Sequence, residues 1–281
     1  MPLLYYWRND NYVKDLDYGA GYHLNHSNPL LHDIDIGDSL WAFTRVKKTT
    51  YALACELVIK ARTFNPPNFR YGKYRVWGDL EKSRYFNVNE NISIEQIIRT
   101  FKISNKAQVL GQSFQGFASV KKISIAEHQV LAATSKNLKQ EPRAKILPEE
   151  RLEAELLLGN SQLVEQLVKS ENPGISEARR EYLYGTALNR NLLLVKKLRD
   201  LYQGRCQICG WNSVGIYNVN LCEAHHIQWL SRGGADELEN MMLICPNHHA
   251  AIHKLDAPLD FKDFSFDFGN RREALSINHH L

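Results

Sequence analysis

The sequence predicts an α+β protein of two domains: a β-rich N-terminal domain and a small C-terminal unit of two strands and a helix, with a helix-bearing linker between them. Three observations predict this. Residues 3–130 are rich in aromatic and β-branched runs broken by Gly, Asn and Pro. Residues 133–145 are polar, basic and poor in apolar side chains. Residues 205–255 gather cysteines and histidines at short, repeated spacings. A chain of 281 residues suits two domains of about 100 to 200 residues each.

Taken in order, SLWAFTR (39–45), YALACELVI (51–59) and YGKYRVWGDL (71–80) read as strands. SIEQIIRTF (93–101) is the exception, where Ser93 offers a cap and apolar residues recur every three to four positions, as a helix requires. ATSKNLKQEPRAK (133–145) carries Lys136, Lys139, Arg143, Lys145 and a proline, which is linker composition. Residues 148–169 show helical periodicity with acidic residues in the first turn, and 176–202 continue helical after the NPG break at 172–174. The expected division is a first domain at 1–132, a linker at 133–175 and a second domain at 176–281, with its core at about 205–255.

With 44% hydrophobic and 23% charged residues, wholesale disorder is excluded. A formal net charge of +4 and a pI near 8.7 permit nucleic-acid binding without requiring it. No apolar run approaches the roughly 18 residues of a membrane helix. The start, MPLLYYWRNDNY, lacks the features of a signal peptide, so the expected location is the cytoplasm. Cys55 and Cys222 sit in apolar runs and read as small buried thiols. His279 and His280 read as a solvated tail.

The C-terminal unit carries two metal arguments. Cys206-x-x-Cys209 aims two thiolates at one ion, and Cys245-x-x-His248 supplies a second pair, which together close a tetrahedral structural Zn²⁺ site. This leaves His225, His226, His249 and His253. NLCEAHHI reads as a strand, SRGG as a reversing turn, MMLIC as the returning strand, and NHHAAIHKL as a helix with His249 and His253 on one face at i, i+4. His248 and His249 are adjacent and either could complete the zinc site. The C-x-x-H spacing gives His248 to zinc, and the shared helical face gives His249 to a second ion.

These residues resemble the HNH endonuclease superfamily of the ββα-metal type, with the name-giving positions at His226, Asn240 and His249 in the family's order and separations. The resemblance covers about 196–255 and includes the Gly-Gly turn, the ELEN element and the terminal IH. It implies an enzyme that hydrolyses DNA phosphodiester bonds with His226 as general base. It also implies one divalent cation, Mg²⁺ or Mn²⁺, held by His225 and His249, with His253 as a third ligand or, alternatively, a phosphate contact or support for a ligand. Asn240 would pin the loop that carries the base. The bland alternative is a zinc-dependent DNA-binding module without catalysis, which would leave four histidines without a task.

LLYYWRNDN (3–11) and DIDIGDSLWAFTR (33–45) resemble the EVE-like members of the PUA superfamily, small β-barrels that hold modified bases in a pocket. The resemblance implies an aromatic pocket for a flipped base, and Trp7, Tyr22, Trp41 and Trp77 are the candidates for its walls, although most barrel aromatics are core. Arg45, Lys47, Lys48, Arg70, Lys73 and Arg75 could meet phosphates beside it. Joined, the two parts resemble a modification-dependent, type IV-like restriction endonuclease acting on double-stranded DNA with 5-methyl- or 5-hydroxymethylcytosine. The alternatives are an HNH endonuclease directed by another mark, such as phosphorothioate, or by plain sequence. Because one HNH module nicks one strand, a homodimer is expected.

Overall fold

A computed structural model describes residues 1–18, 22–47, 50–103, 107–141, 192–228, 235, 237–277 and 280–281. The predicted helix at 148–169, most of the one expected at 176–202, the SRGG turn, Lys48 and His279 lie outside them. The chain divides into two compact units, residues 1–16 with 20–144, and 17–19 with 145–281. Among the described residues no helix is long and apolar enough to cross a membrane.

The first unit is built on β1 (Leu3–Tyr6), β2 (His23–His26), β3 (Ser39–Lys47), β4 (Thr50–Phe64), β5 (Tyr74–Gly78), β6 (Arg84–Tyr85) and β7 (Val120–Lys122), with α1 (Asn9–Tyr18), α2 (Leu30–Asp33), α3 (Glu95–Thr100) and α4 (Ile125–Ser135). The seven strands form one sheet in the order β2-β5-β4-β3-β1-β7, with β6 beside β4. β1 runs parallel to β3, and the other pairs are antiparallel. The long β4 pairs with β3 and β6 through its first half and with β5 through its second, and a register shift between Ile59 and Ala61 bends it there, which curls the sheet. Leu4, Trp41, Phe43, Tyr51 and Leu53 form one buried cluster with Ile94 and Ile98 of the α3 region and Leu131 of α4.

The sheet is a curled half-barrel: among the described residues no ladder joins its ends, β2 and β7. Side chains bridge that gap instead. Asn28 Nδ2 donates to Phe117 O at 2.8 Å and to Val120 O at 3.3 Å, and His26 Nε2 lies 2.8 Å from Ser119 Oγ. An amide side chain thus takes the Val120 carbonyl that a closing strand would otherwise use.

The boundary expected at 132 falls inside α4. Residues 133–141 belong to the first unit, with Ser135 buried, Glu141 N donating to Tyr85 O at 3.0 Å, and Gln140 bridged to Phe86. Helices α1 and α4 were also hidden within a region that reads as β-rich.

The second unit contains α5 (Leu192–Tyr202), α6 (Val214–Tyr217), β8 (Glu223–His226), β9 (Met241–Ile244), α7 (Pro246–Leu255), and a three-stranded sheet of β10 (Leu259–Asp260), β11 (Ser265–Asp267) and β12 (Arg272–Ala274). β8 and β9 form an antiparallel pair from Glu223↔Ile244 to His226↔Met241. Val195 and Leu198 of α5, all of β9, Ile252 of α7, Leu259, Phe266 and Leu275 share one core. The unit therefore extends past residue 255. His280 is docked rather than solvated: one ring nitrogen donates to Met241 O at 2.8 Å and the other lies 2.9 Å from Tyr202 Oη.

Candidate active site

Two groups of metal-ligating side chains stand at the ends of β8, β9 and α7. The first joins Cys206, Cys209, Cys245 and His248, whose donor atoms all lie within 4.8 Å of one another. Cys206 and Cys209 lie on a tight turn after α5, where Gly210 adopts φ +72° and its N–H donates to Cys206 O at 2.8 Å. Cys245 is the residue that opens α7, and His248 lies in its first turn. The separations are 3.9 Å for Cys209 Sγ to Cys245 Sγ, 3.7 Å for Cys206 Sγ to His248 Nδ1 and 3.2 Å for Cys245 Sγ to His248 Nδ1. A tetrahedral Zn²⁺ with bonds of about 2.0 to 2.3 Å sets such donors roughly 3.5 to 3.8 Å apart, so the group fits the ion.

The donor chemistry agrees. Burial, together with the nearby Cys206 and Cys209 sulfurs, pushes the Cys245 thiol up to about 12, and burial also raises Cys209. A divalent cation among the sulfurs would reverse both penalties. On the far side of His248, Nε2 sits 3.1 Å from Glu273 Oε2, and Glu273 also accepts from Arg271 Nε at 2.9 Å. A carboxylate there fixes the imidazole with Nδ1 turned to the sulfurs.

The second group is His225, His249 and His253. His249 Nε2 and His253 Nε2 lie 3.2 Å apart, and the three rings meet edge to face at centroid separations of 4.6 to 5.1 Å. Three imidazoles converging at this range suit one cation better than they suit each other, since neutral rings can share few protons and charged ones repel. His249 Nδ1 is 2.8 Å from Glu223 Oε2 at the start of β8. That contact turns Nε2 of His249 toward the group. The separation of the adjacent histidines follows from the helix: His248 joins the sulfur group and His249 the imidazole group.

His226 is the next residue along β8, so strand alternation sets it on the side opposite His225, and it is fully buried. Asn240 holds the chain just beyond it. Its Oδ1 accepts from Gln228 N at 2.8 Å, and its Nδ2 donates to Gln228 O at 3.0 Å and Ala235 O at 2.7 Å. Its carbonyl oxygen accepts from Ile227 N at 2.8 Å.

The HNH endonuclease family model matches residues 206–255, from the first cysteine of the sulfur group to the end of α7. Residues 206–255 are thus an HNH endonuclease domain. The type IV methyl-directed restriction enzyme EcoKMcrA of Escherichia coli (strain K12) is 40% identical over 53 residues, which is 18% of this chain and 19% of that enzyme. Anaredoxin of Nostoc sp. is 30% identical over 70 residues, 25% of this chain and 83% of that protein. The chain thus spans less than a fifth of the restriction enzyme's length.

Outside the HNH domain, the four aromatic pocket candidates separate. Trp41 is fully buried in the sheet core with Nε1 donating to His128 Nδ1 at 2.9 Å, so it is core and not a pocket wall. Trp77 is 8% exposed and donates to Thr63 Oγ1 at 2.8 Å. Trp7 and Tyr22 flank Tyr85, with centroids at 6.4 and 5.0 Å, and Trp7 Nε1 donates to Asp15 Oδ2 at 2.9 Å. Burial raises the Asp15 carboxyl above its ordinary value against the lowering pull of that bond. Among the basic candidates, Arg70 lies over Tyr71, Lys73 over Phe64 and Tyr74, and Arg75 is buried. Cys55 and Cys222 are buried thiols, and burial drives both upward, Cys222 to about 11. Sequence reasoning missed Glu223 and Glu273. The E-x-H spacing to His225 was available for the first, whereas Glu273 lies 25 residues from its histidine and carried no cue.

Proposed function

We propose that this chain is a modification-dependent restriction endonuclease that hydrolyses phosphodiester bonds in double-stranded DNA carrying 5-methyl- or 5-hydroxymethylcytosine. The observation that carries the reading is the convergence of His225, His249 and His253, with His226 the following residue of the same strand and Asn240 bonded to the chain beyond it. The likeness to a methyl-directed restriction enzyme supports the choice of target, and Trp7 and Tyr22 beside Tyr85 are the surfaces on which a flipped base would stack.

In this reading His225, His249 and His253 hold a divalent cation, Mg²⁺ or Mn²⁺, and Glu223 orients His249. When bound, the ion polarises the scissile phosphate and offsets charge on the leaving oxygen. His226 takes the proton of the attacking water. Its full burial means that DNA binding has to open a path to it. Asn240 keeps His226 in register by fixing Ile227 and Gln228. Cys206, Cys209, Cys245 and His248 hold a structural Zn²⁺ that organises the fold and takes no part in the reaction. Cutting both strands requires two such modules, which a homodimer supplies.

The test incubates the full chain, and its His226→Ala variant, with plasmid bearing cytosine, 5-methylcytosine or 5-hydroxymethylcytosine, in Mg²⁺ or Mn²⁺. The expected outcome is cleavage of modified plasmid alone by the wild type and a loss of about 10²- to 10⁴-fold in the variant. Equal cleavage of all three plasmids would remove the modified-base reading and leave the nuclease. No cleavage in either metal would remove both.

A further inference from the structure

On β5, between β2 and β4, a guanidinium is buried with no counter-ion among the described residues. Arg75 is 5% exposed, its Nε donates to Asn25 Oδ1 at 2.6 Å, and its side chain makes no other hydrogen bond or ion pair among the described residues. Burial lowers its ordinary value to about 10, because the surroundings supply no negative charge. Phe69 and Trp77 cover the guanidinium, with its central carbon 5.3 and 5.1 Å from their ring centroids. With rings over it and Asn25 on Nε, the terminal N–H edge is what Arg75 has left to offer, and that edge matches a planar or tetrahedral oxyanion in bidentate fashion.

The surroundings are fixed in advance. Asn65 N donates to Lys73 O at 2.9 Å and Asn65 Nδ2 to Gly72 O at 2.7 Å. Gly72, at φ +110°, backs so closely onto β2 that a Cβ would stand 2.3 Å from the carbonyl carbon of His26. The 65–73 turn therefore cannot drift from its seat. Asn65 Oδ1 is buried and has no hydrogen-bond partner among the described residues. On the same turn Arg70 and Lys73 are exposed and stack on Tyr71, Phe64 and Tyr74.

A lone buried cation is costly, and a core that only needed packing would gain by an apolar residue at 75. We infer that Arg75 is a phosphate-binding residue for a nucleotide of the DNA chain, with Arg70 and Lys73 as its cationic rim. A nucleotide matches both groups: its phosphate oxygens take the guanidinium edge, and a base N–H donor takes Asn65 Oδ1. This rests on the reading of the first unit as the DNA-holding part. It fails separately from that reading, because a phosphate contact weakens binding to modified and unmodified DNA alike.

The experiment measures binding of a fluorescent DNA duplex, with and without 5-methylcytosine, to the full chain and to Arg75→Met and Arg75→Lys without added divalent ion, alongside thermal melting in orthophosphate. Expected for Arg75→Met are an equal or higher melting temperature, at least tenfold weaker binding to both duplexes, and a salt slope smaller by about 1. Arg75→Lys, which keeps the charge and loses the fork, should also bind more weakly. Wild-type binding in either folded variant overturns the inference, and if Arg75→Met does not fold, Arg75→Lys decides. A melting shift by orthophosphate that needs Arg75, with DNA binding unchanged, also overturns it, because the site would then serve a free anion.

Discussion

The two units solve the problem of a core differently. In the first, Leu4, Trp41, Phe43 and Leu53 are each fully buried on one face of a seven-stranded sheet, and packing with α3 and α4 completes it. In the second, a two-stranded ladder and a ten-residue helix hold the site, and two cysteines of the sulfur group, Cys206 and Cys245, are themselves members of the core cluster. Ladders of two strands are marginal alone. There the sulfur group ties the α5 turn to the start of α7, and the same helix then presents His249 and His253 one step further on. The structural and reactive groups are thus neighbours on one element, so a fault in the first reaches the second.

The largest effect that tests this contrast is removal of the zinc group. Structural zinc sites contribute about 10 to 16 kcal/mol to the folding of small domains. Cys245→Ala, or a strong chelator, is expected to abolish the melting transition of the second unit and all cleavage while the first unit's transition remains. Differential scanning calorimetry with zinc analysis reads both. A second-unit transition indifferent to chelation would break the comparison.

The converse change is Phe43→Ala. Phe43 is fully buried and packs on Tyr6, Tyr51 and Phe114 at centroid separations of 5.1 to 6.0 Å. Truncating such a ring costs about 3 to 5 kcal/mol. The loss should fall on the first unit's transition, with zinc content unchanged in the same calorimetric experiment.

The contrast also explains what the sequence made legible. Metal chemistry writes itself in spacing, so Cys206, Cys209, Cys245 and His248 could be grouped by their C-x-x-C and C-x-x-H steps and His249 with His253 by the i, i+4 step, whereas His225 joined them only through the resemblance to the HNH superfamily. Packing leaves weaker traces. Trp41 reads as a pocket wall until its strand neighbours are known, because facing inward and facing a ligand share one alternation. α1 was missed because its stretch, NDNYVKDLDY, is mostly polar, with Tyr12, Val13 and Leu16 the short apolar cue to a helical face. Barrel closure was not legible at all, since it depends on whether β2 or the Asn28 amide reaches Val120 of β7.

A smaller effect sharpens the contrast within the HNH domain. Glu223→Gln keeps the size of the side chain and removes the charge beside His249 Nδ1. Loss of such a supporting carboxylate lowers metal affinity by about 10- to 100-fold. Titration of Mn²⁺ into zinc-loaded protein should show that loss with both melting transitions in place. Unchanged affinity would mean that Glu223 does not orient the ligand.

The smallest effect lies in α4, where a cue was present and passed over. Ser124 Oγ accepts from Glu127 N at 3.2 Å, and Glu127 Oε2 accepts from Ser124 N at 2.7 Å, the reciprocal pair of a capping box. The S-x-x-E spacing announces it, yet it stands at the border of a segment that reads as linker. Ser124→Ala should lower the first unit's stability by about 1 kcal/mol and leave the second alone. Burial raises the Glu127 carboxyl, but the N–H groups of Ser124 and Lys102 and the Ser124 hydroxyl outweigh it and hold the group below its ordinary 4.5. A carboxyl depressed on folding stabilises above its unfolded value and loses that contribution as the pH falls through the folded one. The difference in melting temperature between wild type and Ser124→Ala should therefore persist from neutral pH to about 5 and shrink below 4.5. A difference that stays constant into acid would mean that the hydroxyl acts only by accepting from Glu127 N and not by donating to its carboxylate.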